Sequence, residues 1–292
     1  MQSLFFGDIM SGFIKIKTKE LLLNNTLKLF LVSFTAFVLK VLTSALVILF
    51  TNTLLISPFL QGMVIKYNSL LVYFIYSLFT VTLYFILLLF ICGLKMGENA
   101  IYFMESKMSK AKFKYLFIFL RPSQSFRAFL LYFRLLNLKT LWALFFFSVP
   151  IFCTALIFLL YFTTSSYAMV LFTLIIGTAV LTSISLFYYN CSKIRYSYAI
   201  YYLCTDFKIS VTDAIKKSVE HADNFIKDGV ILKSSFLFWV LSCALFFPIF
   251  YVIPFTKLSK AKFITFTDAL RYSLPQTNHY LLYTNKKSNR IS

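Results

Sequence analysis

Charge is scarce in this sequence. Asp, Glu, Lys and Arg make up 13% of its 292 residues, against about 25% in a soluble domain. Acids are the rarer sign, ten Asp and Glu against 29 Lys and Arg. They are Asp8, Glu20, Glu98, Glu105, Asp206, Asp213, Glu220, Asp223, Asp228 and Asp268, and none lies in a clear apolar run. Membrane proteases, metal-dependent membrane transferases and cation-coupled carriers need carboxylates or histidines gathered in or near the bilayer, so these classes lose weight together. Only two histidines are present, His221 and His279, which excludes HExxH. Walker A, GxSxG and dinucleotide fingerprints are absent too. Around Glu220-His221-Ala222-Asp223, adjacent and i+2 side chains do not share a helix face, a poor arrangement for a metal. Glycine (7) and proline (6) are too few for low-complexity linkers. The five cysteines (Cys92, Cys153, Cys191, Cys204, Cys243) show no CxxC spacing and lie mostly in apolar runs. They read as small core residues rather than a disulfide framework or metal site. Neither a metal nor a cofactor is implied, and no enzyme activity is expected.

Apolar side chains fill the space that charge leaves. Hydrophobic residues make up 60% and aromatics 20%, and the mean hydropathy is +0.80. A 34.0 kDa globule could not hide that much apolar surface from water, so the reading is an integral membrane protein. Four long runs stand out, at about 27–57, 69–94, 140–162 and 167–191. Each supplies the roughly 20 residues a helix needs to cross about 30 Å of hydrocarbon. Continuous rather than alternating apolar character excludes a membrane barrel. The first run starts too far in, and is too long, for a cleavable signal peptide, and is expected to be a retained anchor.

The net charge of +19 would suggest nucleic acid in a soluble protein. Here the basic residues flank the runs instead, so no nucleic-acid partner is expected. Residues 1–28 hold four Lys or Arg, 58–68 one, 95–139 nine, 163–166 none and 192–233 seven. This alternation places the N-terminus and the loops 95–139 and 192–229 in the cytoplasm. A fifth run, 234–256, is interrupted by Pro248 and Pro254, and the tail after it carries seven more basic residues. A single crossing would leave those outside. A break at Pro248, which lacks an N–H and clashes with the preceding turn, keeps them inside. The expectation is a hairpin of helices at about 230–246 and 249–268, either as two short spans or as a re-entrant pair.

Several residues are candidates for a site. Lys40 is the one charge well inside an apolar run, a functional hypothesis by default. With no acid in another clear span, snorkelling to the cytoplasmic headgroups is the plainer expectation. Lys107, Lys110, Lys112 and Lys114 are interleaved with Phe113, Tyr115 and Phe117, a pattern suited to anionic lipid at the interface. Arg195, Tyr196 and Tyr198 belong to a tyrosine-rich stretch read as an interfacial aromatic belt, with a cation–π cluster on Arg195 as the alternative. Gly93 and Gly97 form a GxxxG, weak evidence for helix dimerisation. Ser210-Val211-Thr212-Asp213 fits a capping box. It opens an amphipathic helix with Val211, Ile215, Val219, Ala222 and Ile226 on one face and Gly229 as its C-cap. The N-terminal stretch reads similarly, with Phe6, Ile9, Phe13 and Ile16 on its apolar face.

The stretch 195–263 resembles a bacterial family of uncharacterised polytopic integral membrane proteins, a domain of unknown function. The matching blocks are Arg195-Tyr196-Ser197-Tyr198-Ala199, Asp206, Asp213-Ala214-Ile215, Ser235-Phe236-Leu237-Phe238-Trp239 and Val252-Ile253-Pro254-Phe255. Leu141-Trp142 followed by Pro150 is similar to the family's middle span. The sequence departs from the pattern at Pro150-Ile151, where the family has Pro-Gly, and in an extra apolar stretch at about 151–190. The resemblance implies an even number of helices with both ends inside, and supplies no catalytic residues.

The expected architecture is an all-α polytopic membrane helix bundle. It has four transmembrane helices plus the C-terminal hairpin, six helices in or near the membrane, and short cytoplasmic amphipathic helices. One integral membrane domain covers 1–270, and 271–292 is a polar basic tail. The expected role is a non-enzymatic scaffold, regulatory or assembly module of the cytoplasmic (inner) membrane. Its partners would be the lipid bilayer, anionic lipids at the cytoplasmic loops, and a membrane protein of unknown identity. A transporter or channel subunit is the alternative, and a membrane-embedded enzyme a more distant third. Cysteines introduced at Lys112 and at Ser288 should be shielded from a membrane-impermeant thiol reagent in intact cells. Labelling at Lys112 would overturn the orientation, and labelling at Ser288 alone would overturn the hairpin.

Overall fold

The structure, a computed structural model, describes all residues except 1, 58–61, 63–68, 108–110, 164–167, 224, 237–248 and 274–292. The described residues form eight α-helices and one 3-10 helix, and no strand occurs among them. In chain order they are α1 (Gln2–Ile56), α2 (Ser69–Ser106), the 3-10 helix (Phe113–Leu120), α3 (Pro122–Thr163) and α4 (Ala168–Arg195). The four shorter or later helices are α5 (Ser197–Thr205), α6 (Val211–Ala222), α7 (Ile226–Ser234) and α8 (Ile249–Ser273). Four stretches, Met10–Ile56, Leu70–Ser106, Pro122–Tyr161 and Phe172–Thr205, are long and apolar enough to cross a membrane. The all-α bundle of a multi-pass membrane protein is therefore as expected.

In lipid, a spanning segment must satisfy its own backbone, and a continuous helix does so. The spans add a local device. Thr43, Thr51, Thr80 and Thr178 donate their hydroxyls to the carbonyls of Leu39, Val47, Tyr76 and Leu174, one turn back. This settles each polar side chain within its own helix, so it asks nothing of the surrounding hydrocarbon.

The helices are much longer than their apolar runs. α1 has 55 residues, about 80 Å at 1.5 Å per residue, with one kink at Asn25 (φ −135°, ψ 17°). The expected loop 95–139 is largely helical, because α2 runs on to Ser106 and α3 already starts at Pro122. These extensions, with the ends of the apolar runs that adjoin them, build a base, and the buried core sits there. It draws Ile14, Leu22, Leu29 and Val32 from α1, Leu94 and Ile101 from α2, and Leu131 from α3. Tyr198, Ala214 and Leu258 bring α5, α6 and α8 into the same core. In contrast, no more than 11% of the most apolar window of any span is buried inside the protein, and in two spans none is.

The spans therefore leave the base as two hairpins rather than a tight four-helix bundle. Tyr76 ties α2 to α1 by donating to the Thr51 carbonyl at 2.9 Å. In the α3–α4 hairpin, Trp142 stacks on Phe146 at 5.4 Å and Phe146 on Tyr188 at 5.9 Å. The Trp142 indole N–H donates to the Tyr196 hydroxyl at 2.8 Å.

Local expectations fared unevenly. Ser210 caps α6, accepting from the Asp213 N–H at 3.0 Å and donating to its carboxylate at 2.6 Å. The helix lies on the bundle, but its buried face is Val211, Ala214, Ser218, His221 and Ala222, with Ile215 and Val219 to one side. Gly229 is not a C-cap. α6 ends at Ala222, and Gly229 sits inside α7, where a methyl group would come 3.0 Å from the Ile194 side chain. Near the N-terminus the buried face is Met10, Ile14, Thr18 and Leu22, while Phe13 and Ile16 are exposed. α8 begins at Ile249, where the second hairpin helix was expected, and contains Pro254. Pro248 and most of the expected 230–246 helix, together with the tail from 274, lie outside the described residues.

Gly93 and Gly97 do bring backbones together, within the chain rather than between chains. The 3-10 helix crosses α2 at this point, where no side chain fits between them. A methyl group at Gly93 would stand 2.7 Å from the Phe119 carbonyl oxygen, and one at Gly97 would collide with the Leu116 backbone. Gly97→Ala should cost about 1–3 kcal/mol, the cost of overpacking a rigid site. Gly12→Ala meets nothing within 4 Å and should stabilise α1 by about 0.5–1 kcal/mol. Thermal unfolding in detergent compares the two; equal midpoints would remove the close-approach role.

Candidate functional site

The charged residues of the base gather in three places. The first is Glu98, on the α2 extension, with its side chain 6% exposed. Its two carboxylate oxygens receive Lys40 of α1 at 3.4 Å and Lys257 of α8 in a closer ion pair. Ser33 donates to the same carboxylate at 2.7 Å, and its hydroxyl also meets that of Tyr102 at 2.8 Å. Seven residues further along the same face of α2, Glu105 pairs with Lys28 of α1 and accepts the Ala111 N–H at 3.1 Å. Two turns of α2 are thus clamped to α1, once alone and once with α8.

Lys40 consequently does not need to snorkel. The acid it pairs with lies beyond the apolar run of α2, in what reads from sequence as a loop. Because both helices continue into the base, their charges meet there. The signal was present as the spacing of Glu98, Tyr102 and Glu105, one face of a helix at i, i+4 and i+7, opposite Lys28, Ser33 and Lys40.

The second place surrounds His221, 1% exposed between α5, α6 and α8. Tyr198 stacks on its ring at 4.4 Å, and the Tyr202 hydroxyl meets Nδ1 at 2.7 Å. Asp268 lies 3.7 Å from Nδ1 and accepts from the Tyr201 hydroxyl at 2.7 Å. Tyr198 is fully buried and its hydroxyl meets Thr267 at 3.1 Å. The expected aromatic belt is therefore corrected. Tyr196 and Tyr198 are buried in the base because α5, which follows α4 after the single residue Tyr196, packs against α6 and sets Tyr198 on the His221 ring. Among the described residues Arg195 stands over no aromatic ring; it pairs with Asp223 at 3.1 Å, and its carbonyl accepts from Ser218.

Of the four interleaved lysines, Lys107 lies over the Tyr201 ring at 5.0 Å. Lys112 and Lys114 are exposed at the start of the 3-10 helix, beside exposed Phe113 and Phe117. Lys110 lies outside the described residues. Among the described residues, no three of His, Cys, Asp and Glu gather as metal ligands.

The third place was not visible in the sequence as a cluster. It consists of Lys95 (α2), Lys139 (α3), Lys193 (α4), Lys233 (α7) and Lys260 (α8), where the charges of Lys95, Lys193 and Lys233 act on both Lys139 and Lys260. Lys233 is exposed, and partial desolvation by the neighbouring protein, reinforced by Lys193, holds its ammonium below the usual range. Solvent reaches Lys260, yet protein crowds it, and desolvation with repulsion from the other four holds it below its usual range as well. In α7, burial raises the Asp228 carboxyl, against the pull of Lys227.

No family model, no curated protein and no solved structure matches the chain. Function is therefore read from the chemistry of the base. Glu98→Gln would leave two ammonium groups facing a neutral amide. Since Lys257 keeps partial access to water, the cost should be about 1–3 kcal/mol, less than for a fully enclosed pair. Lys40→Leu retains the Lys257 pair and should cost less. Thermal unfolding in detergent reads both; a Glu98→Gln midpoint equal to wild type would dismiss the clamp.

Proposed function

We propose that this chain is a non-enzymatic scaffold, regulatory or assembly module of the cytoplasmic membrane, with its helical base on the inner face. The observation that carries this reading is the occupation of the base's acids. Glu98, Glu105, Asp213, Asp223 and Asp268 are each engaged by a lysine, arginine or hydroxyl of another turn or helix. Groups held in this way fasten elements together. A general acid or base needs an aligned, accessible path to a reacting group, and a coupled carrier needs ionisable groups along its pathway. The arrangement suits a rigid platform fixed to the bilayer by four spans.

The wide apolar faces of the spans support the same reading. They have little packing partner within the chain, which suits contact with lipid or with the helices of another membrane protein. Exposed Lys112 and Lys114, with Phe113 and Phe117, suit anionic headgroups.

Purification of the full chain directly into native-lipid discs tests the proposal. The expected result is a membrane protein partner present at fixed stoichiometry, with no solute flux when the pair is reconstituted into proteoliposomes. Flux of a solute by the chain alone would overturn the module reading in favour of a carrier.

A further inference from the structure

The first part of α3, residues 122–139, precedes the apolar run 140–162 and is sorted into three faces. Ala128, Leu131 and Leu135 are fully buried in the core of the base. Arg127 donates to the carbonyls of Phe207 and Ile209, and Arg134 to the Thr212 hydroxyl, so both guanidinium groups are turned to the loop before α6 and its first turn. The third face is a stripe of Phe126, Phe129, Phe133 and Leu136, at the spacing of one side of a helix. Its rings follow one another at 6.3 and 5.8 Å. Phe126, Phe133 and Leu136 are exposed. On a stalk standing in water, this stripe would be a continuous apolar strip with nothing to cover it.

Contacts with α2 give the depth of this segment. The apolar run 69–94 ends at Leu94, where α2 leaves the hydrocarbon. A methyl group on Gly93 would stand 3.0 Å from the Ser125 hydroxyl, so α3 starts at that level. Lys95 lies over the Tyr132 ring at 4.7 Å, and Asn99 donates to the Tyr132 hydroxyl at 3.0 Å. Phe129 meets Phe85 edge to face at 5.4 Å, and Phe85 lies inside the apolar run. An upright α3 with its hydrocarbon edge at Thr140 would hold Phe129 about 16 Å out in water, whereas Phe85 is about 13 Å inside the edge of α2. Two rings in contact cannot differ so much in depth. The first part of α3 therefore slants along the edge of the bilayer instead of standing clear of it.

From this placement we infer that residues 122–139 form an interfacial helix, whose stripe of Phe126, Phe129, Phe133 and Leu136 is seated among the glycerol groups and upper acyl chains of the leaflet on the base side. The inference rests on the membrane reading and on no particular partner. Phospholipid is the occupant because the stripe continues the lipid-facing side of a span through Phe85, at the depth where aromatic rings are favoured. Charge agrees with it. The stretch between Glu105 and Asp206 contains no Asp or Glu, so no carboxylate on it opposes an anionic leaflet, and Arg121 is exposed just before the helix. The two arginines within the segment are held on the base side, away from the stripe. The helix thus joins the base to the bilayer along a line, in addition to the four crossings.

Depth-dependent quenching tests this. A fluorescent amino acid is incorporated in the full chain in place of Phe133, Leu136 or Phe152, one position at a time. All three side chains are exposed, so the probes displace no core packing, and Leu136 serves as a second reading of the stripe should the Phe133 variant fail to fold. Each variant is reconstituted alone into phosphatidylcholine vesicles brominated near the headgroup end of the acyl chains, near their methyl end, or not at all. Probes at Phe133 and Leu136 should lose most emission to the bromines near the headgroups. The probe at Phe152, in the middle of the run 140–162, should lose most to the bromines near the methyl ends. Stripe probes that stay unquenched while Phe152 is quenched would overturn the inference, since water or a second copy of the chain would then cover the stripe. Stripe probes quenched like Phe152 would overturn it as well, making the segment part of an ordinary crossing. A Phe152 probe that no bromine quenches would instead overturn the membrane reading itself.

Discussion

Lysines separated by more than two hundred residues close on one carboxylate. Glu98 takes Lys40 from the first helix and Lys257 from the last described one. Enclosing the Glu98 carboxylate is costly unless it finds counterparts, and its two lysines keep only part of their access to water, so the clamp tolerates few arrangements of α1, α2 and α8. That restriction is its contribution. Between apolar helices many rotations and slides have similar energy, whereas an enclosed carboxylate with two oxygens to satisfy selects one. Glu105 and Lys28, on the same helix faces, reinforce the register.

The need for such a device arises from where the core lies. Hydrocarbon chains surround the spans with an environment as apolar as their own side chains, so burial gives the spans little reason to associate. Their large side chains and sparse glycine also limit close contact. Packing is instead concentrated in the base, where water drives Ile14, Leu22, Tyr102 and Leu131 together. The spans are oriented by what grips their extensions, and the base acts as the organiser of the membrane part.

The spans themselves were legible in the sequence, because long uninterrupted apolar runs have no other stable use. The cap at Ser210 was legible too, being set by residues three apart. The base was not, because its contacts join residues far apart in sequence and its helices begin and end on polar stretches that resemble loops. Glu98 counted as a loop acid only because the helical extension of α2 could not be seen. The tyrosines near Arg195 resembled a belt because Tyr198 has the same composition signature whether it faces headgroups or packs on His221. Gly93 and Gly97 announced a close approach without saying to what. The lysine cluster could not be found from spacing at all, since its members come from five different helices.

The placement of α8 against α1 also imposes an order on synthesis. Lys40 and Glu98 both leave the ribosome before Lys257, which follows Glu98 by 159 residues, and at about 5–20 residues per second the delay is roughly 8–32 s. During that interval the nascent chain holds Glu98 with half its final complement of partners, and the groove along α1 that α8 will occupy stays open. Completion of the base therefore comes after the four spans have been made. Chains truncated before α8 would carry a full set of spans and an unfinished platform.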